Sequence, residues 1–162
     1  MSAASKLLIF GGIALAAFGM LYGLHYAVFV EHQTLDSMGG SLATAFTNAA
    51  DRHLPEAHAA VAAYGETKYD YVRQVDVHSH WIGLAMLMIV LGVAIDGTAF
   101  GERIRFWIAL SLLIGAVVFP LGVILQTESH GSAFASGLAI AGSALVIVAL
   151  AALVVGFARQ NA

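Results

Sequence analysis

The residues of this chain best suited to chemistry are its seven histidines, and the sequence contains no cysteine. Imidazole nitrogen binds haem iron, copper, zinc and non-haem iron, and it also exchanges protons near neutral pH. The absence of cysteine excludes disulfides, iron–sulfur clusters, covalently attached c-type haem and thiolate metal sites. The search for a function therefore depends on where the histidines fall.

The elements that must position these histidines are membrane helices. Of the 162 residues, 60% are hydrophobic and 10% are charged, whereas a soluble domain is about half apolar and about a quarter charged. This composition excludes an ordinary soluble domain and also a disordered chain. We predict an all-α integral membrane four-helix bundle, a single membrane domain over residues 1–162 that contacts the lipid bilayer.

Four apolar stretches predict the crossings, and a polar insertion separates the first two. A crossing needs about 20 residues, so the short stretch from Trp81 to Ile95 must begin earlier and include Asp76. Alanine-rich pieces of the insertion look helical, with Ser41 as an N-cap and Gly65 as a stop. The predicted helices cover about 7–30, 76–95, 104–125 and 133–157, and the partly helical insertion covers 31–75.

The distribution of charge predicts the orientation in the membrane. The helix ends on the side of both termini carry a net charge of +2, and the side of the insertion carries −5. Basic residues favour the cytoplasmic side of short loops. We therefore expect an inner-membrane protein of a bacterium with both termini cytoplasmic, and with the insertion and the histidine cluster on the periplasmic side.

Three histidines are predicted to lie at one depth, in the outer leaflet. At 1.5 Å per residue, His25 lies about 27 Å up the first helix, and His80 and His78 lie about 22 and about 25 Å up the second. His130 follows the third crossing just above that plane. Ionisable residues at this depth usually face a bundle interior or a cavity. The alternative is that they are interfacial histidines that bind nothing.

Helical geometry separates the two histidines of the second helix. Side chains two residues apart point about 200° apart, so His78 and His80 cannot both bind one centre. We favour His80, because Asp76 lies one turn earlier and can accept the proton of one ring nitrogen. The alternative is an Asp–His pair at the helix entrance that has no ligand.

Glycine near the histidines indicates a flat cofactor. Gly23 lies near His25, and Gly83 lies one turn from His80. Because glycine has no side chain, a macrocycle can approach the backbone there, so His25 and His80 would hold a haem b between two helices. Close packing of glycine-containing helices is the alternative explanation.

The segments 78–84 (HSHWIGL) and 122–126 (GVILQ) resemble small four-helix membrane proteins related to haem–copper oxidase subunit I. Those proteins carry a His-x-His at the outer end of their second helix, and the resemblance implies haem binding and redox chemistry for the four crossings. They often have a further histidine in the last helix, where this chain has Ser143. The partner ligand of a haem would then be His25 or His130.

Three functions remain open from the sequence. The first is a haem b redox protein that acts in electron transfer or in a respiratory complex. The second is a periplasm-facing copper, zinc or iron site, made from His25, His78 or His80, His130 and a carboxylate such as Asp76 or Glu128. The third is a non-catalytic accessory subunit of a membrane complex. The expected partners are a membrane or periplasmic redox protein or a larger complex. No nucleic-acid patch or nucleophile motif occurs, so the residues predict a site rather than a reaction.

Overall fold

The computed structural model describes residues 1–129 and 132–160. In these segments the α-helices are α1 (Ala3–Phe29), α2 (Glu31–Ala50), α3 (Leu54–Ala94), α4 (Glu102–Glu128) and α5 (Ala133–Gln160), and the 3₁₀ helix Ile95–Gly97 follows α3 directly. Within this part of the chain, α1, α3, α4 and α5 are long and apolar enough to cross a membrane. The chain is therefore an all-α integral membrane protein, as its composition predicts.

The fold divides into two compact units. The bundle unit contains Met1–Met20 and Asp76–Ala162, and the hairpin unit contains Leu21–Val75. In the bundle unit, α4 and α5 pack along each other, and α1 packs on the second half of α3. In the hairpin unit, α2 turns back through a short connection onto the first half of α3.

Glycine allows the helices of the bundle unit to pack closely. A side chain at Gly92 of α3 would lie 2.6 Å from Ile9 of α1, and one at Gly122 of α4 would meet the backbone of Ala139 in α5. Lipid tails are as apolar as leucine, so membrane helices associate through such close contacts rather than through the hydrophobic effect. The hydroxyl of Ser5 adds a buried hydrogen bond to the Gly92 carbonyl oxygen, at 2.6 Å.

The start of α1 is held by two carboxylates that come from the segment around α4. The backbone N–H of Ser2 donates to Asp96 Oδ2 at 3.1 Å, and that of Ala3 donates to Glu102 Oε1 at 3.0 Å. The first N–H groups of a helix have no partner within the helix and carry partial positive charge. Arg105 lies 3.3 Å from Asp96 and completes this group, which we call the α1 clamp.

The helices of the segment 31–75 differ from their prediction. α2 begins at Glu31 rather than at Ser41, and Gly65 lies inside a helix rather than at its end. The second crossing is therefore the end of a 41-residue helix that begins at Leu54. A glycine costs a helix only about 1 kcal/mol relative to alanine, which the alanine-rich sequence around it offsets. The other three predicted crossings match α1, α4 and α5 to within a few residues.

Candidate functional site

His80 of α3 has a defined ring orientation. Its Nδ1 lies 2.6 Å from the backbone carbonyl oxygen of Asp76, one turn earlier. A carbonyl oxygen can only accept, so Nδ1 carries the proton and Nε2 of the neutral ring keeps its lone pair. The ring stands edge-on to Phe119 of α4, with centroids 4.7 Å apart and an interplanar angle of 81°. These two contacts hold an imidazole whose Nε2 can bind a metal.

The proton acceptor differs from the one predicted. The sequence indicated the carboxylate of Asp76, whereas the structure uses the carbonyl oxygen of the same residue. In a helix that carbonyl already points along the axis towards residue 80, so the short imidazole reaches it without any movement of the aspartate side chain. Carbonyl oxygens serve as well as carboxylates in orienting histidine ligands. The ring of His80 is therefore oriented by a different acceptor, and the binding of a cofactor by His80 stays a prediction.

His78 contacts a different helix. Its Nδ1 lies 3.0 Å from the carbonyl oxygen of Gly19 in α1, whereas His80 contacts α4. The two rings thus face different neighbours, as the 200° separation predicts. A side chain at Gly19 would lie 3.1 Å from Trp81 Cβ, so glycine keeps α1 close enough for this hydrogen bond. His78 therefore connects α3 to α1 within the bundle unit.

The helix surface next to His80 is open. Gly83 is exposed, and a side chain built there meets nothing within 4 Å. Gly83 lies one turn along α3 from His80, so the two residues lie on the same face of the helix. Gly83 therefore has no packing role within the described structure. An oriented imidazole beside a bare stretch of helix surface is compatible with a haem, because its macrocycle needs a flat, uncrowded approach.

An apolar cavity of about 410 Å³ lies in the bundle unit beside Trp81, the residue that follows His80. The ring of Phe18 packs edge-on against Trp81, with centroids 4.8 Å apart. His80 itself does not line this cavity. This cavity was not predictable from the sequence, because its walls use the same residue types as any membrane helix. The lining residues are Gly11, Ala14, Leu15, Phe18, Trp81, Leu113, Val117 and Leu121.

The remaining predicted residues lie elsewhere. His25 and Gly23 belong to the hairpin unit, where the exposed His25 ring packs 5.5 Å from the ring of Phe29. The sharing of a cofactor between His25 and His80 stays a prediction. Glu128 is exposed at the last residue of α4, and His130 lies outside the described residues.

Within residues 1–129 and 132–160, no three His, Cys, Asp or Glu side chains lie together as a metal-binding group. The candidate site is thus His80, which is oriented by a carbonyl oxygen as His78 is, but lies next to an open helix surface. Phe119, which sequence reasoning missed, fixes the ring of His80, and no spacing rule distinguishes this phenylalanine from the other apolar residues of α4. Fold and site define an all-helical membrane protein with an oriented imidazole on its third helix. Comparison of the chain with family models, curated proteins and solved structures finds no match.

Proposed function

We propose that this protein is a membrane redox protein that binds haem b, which His80 would hold, and that it transfers electrons alone or within a respiratory complex. The observation that carries the proposal is the hydrogen bond from His80 Nδ1 to the Asp76 carbonyl oxygen. This bond fixes the tautomer that leaves Nε2 for iron. Ligating histidines almost always donate their second ring N–H in this way.

Haem would supply a one-electron iron couple, and the protein would hold and tune it. His80 would bind the iron through Nε2, and its bond to the carbonyl oxygen holds the ring in one orientation. Phe119 limits rotation of the ring, and Gly83 leaves the neighbouring backbone uncovered. Each of these roles follows from a contact or an open surface on α3.

The number of ligands favours haem over a mononuclear copper, zinc or iron ion. A haem needs one or two protein ligands, because the porphyrin supplies the other four donors. A mononuclear catalytic ion usually takes three protein ligands. One histidine beside an open helix surface, His80 next to Gly83, therefore supports the haem proposal, and the resemblance of segment 78–84 to relatives of haem–copper oxidase subunit I is consistent with it.

We also propose that both termini are cytoplasmic and that the hairpin unit is periplasmic, in a bacterial inner membrane. α3 has 41 residues, about twice the number that one crossing of the membrane needs. About half of α3 therefore needs to lie outside the hydrocarbon. Five of the six charged residues of α3 lie in its first half, before Asp76, and the positive-inside rule favours the outer side for this acidic segment.

The test is an absorption spectrum of the purified protein and of two matched variants, His80→Ala and His78→Ala. We expect a Soret band in the wild type, its loss in His80→Ala and its retention in His78→Ala, because His80 lies beside the open surface at Gly83, whereas the ring of His78 is turned towards α1. Both variants remove one imidazole from the same turn of α3, so general damage to the helix would affect both.

A rescue experiment separates ligation from folding. In a His80→Gly variant, added imidazole should restore the Soret band if the lost group was an iron ligand. Elemental analysis of the same samples detects copper, zinc or iron. A wild-type protein that binds such an ion but no haem would refute the proposal in favour of a metal site, and one that binds neither would refute it in favour of an accessory subunit.

A further inference from the structure

A second apolar groove runs between α4 and α5 in the bundle unit. It has a volume of about 230 Å³, and from Ile104 to Ser111 it extends about 10 Å along α4. The rim includes Trp107, which is 56% exposed, and Val148, which is 66% exposed. The walls are apolar except for one serine; they are Ile104, Trp107, Ile108 and Ser111 of α4 and Leu145, Val148, Ala149 and Ala152 of α5.

Two arginines continue the rows of side chains that line this groove. Arg103 lies four residues before Trp107 and therefore on the same face of α4. Arg159 lies seven residues after Ala152, which places it on the same face of α5. Each arginine thus extends one wall of the groove beyond its apolar part.

The two arginines lie at the same end of the helix pair. The backbone N–H of Ala99, just before α4, donates to the carbonyl oxygen of Gly156 near the end of α5, at 3.0 Å. The beginning of α4 and the end of α5 are therefore at one level. Arg103 and Arg159 are exposed, and within the described residues neither has an ion-pair partner, whereas Arg105 is paired with Asp96.

We propose that this groove binds an anionic phospholipid, with its phosphate between Arg103 and Arg159 and one acyl chain along the apolar walls. The two arginines match the negative charge of the phosphate, and the apolar walls of the groove match the acyl chain. Trp107 has the position and exposure typical of the aromatic residues that lie at the level of lipid headgroups. Basic residues next to membrane helices bind anionic headgroups in this way.

The experiment is native mass spectrometry of the full-length protein in detergent, titrated with phosphatidylglycerol or with phosphatidylcholine of the same acyl chains. We expect the first phosphatidylglycerol to bind more tightly than the first phosphatidylcholine. One arginine near a headgroup contributes a factor of about five in affinity, so Arg103→Gln with Arg159→Gln should weaken phosphatidylglycerol binding about 25-fold. Both side chains are exposed, so the double variant should fold.

Two further variants make the test specific. Lys6→Gln removes an exposed charge from α1 and should leave the affinity unchanged, whereas Ala152→Leu fills the groove and should weaken phosphatidylglycerol binding with both arginines present. The proposal fails if the two lipids bind equally, if Lys6→Gln has as large an effect as the double arginine variant, or if Ala152→Leu has no effect. Competition by millimolar inorganic phosphate would show that the arginines bind a free anion, and this would also overturn the lipid assignment.

Discussion

The substitution Asp76→Asn distinguishes the two ways in which His80 could be oriented. In the structure the Nδ1 proton goes to the backbone carbonyl oxygen of residue 76, which asparagine also provides. Removal of an orienting side chain typically weakens metal binding 10 to 100-fold. Because the side chain is not the acceptor here, we expect Asp76→Asn to change the dissociation constant of haem by less than about twofold, which is well below that range.

Phe119→Leu is the matched positive control. Phe119 meets the His80 ring edge-on at 4.7 Å, and contacts of this geometry contribute about 0.5 to 1.5 kcal/mol. If the contact holds the ring in its ligating orientation, its loss should weaken haem binding by about two to tenfold, by the usual conversion of energy to affinity. Phe119→Leu should therefore have a larger effect than Asp76→Asn.

The assay is a titration of the apoprotein with haemin, followed at the Soret maximum, for the wild type and both variants. Circular dichroism of each apoprotein checks that helix content is unchanged. A tenfold or greater loss of affinity in Asp76→Asn would show that the carboxylate orients the imidazole and would refute orientation by the carbonyl oxygen.

Three further predictions concern topology, packing and the hairpin unit. A cysteine at Glu66 should react with an impermeant maleimide from the periplasm, and one at Gly101 only after permeabilisation; the reverse pattern would invert the proposed orientation. Gly122→Ala should lower the free energy of unfolding in detergent by about 1 to 3 kcal/mol, because the new methyl group meets the α5 backbone. Gly137→Ala, with open space around it, should raise it by up to about 1 kcal/mol, and equal effects would contradict the close α4–α5 contact. If His25 is the second haem ligand, His25→Leu should abolish the Soret band. An unchanged spectrum would show that the second ligand lies elsewhere.

The long-range features of the fold were predictable because they depend on composition. Twenty or more apolar residues in succession leave few alternatives to a membrane helix, and α1, α4 and α5 accordingly match their predicted bounds closely. The start of α3 was not predictable in this way. Gly65 was expected to end a helix, but a single glycine in an alanine-rich stretch costs less than the continued helix gains.

The site was predictable only at the level of residue type and helical phase. The spacing of His78 and His80 correctly indicated that they face different neighbours. Which atom of Asp76 accepts the proton depends on side-chain rotamers, and these are not encoded in spacing. The contact with Phe119 depends on the rotation of α4 against α3, which a helix with apolar residues on all sides does not specify.

The α1 clamp has a consequence for the order in which the protein is made. The carboxylate that accepts the Ala3 N–H belongs to Glu102, about 100 residues later in the chain. At about 5 to 20 residues per second, the ribosome needs about 5 to 20 s to reach it. Throughout that interval the first amides of α1 have no carboxylate from the α4 segment and rely on water at the membrane surface. Final docking of α1 is therefore a late event in biogenesis, completed after the beginning of α4 has been synthesised.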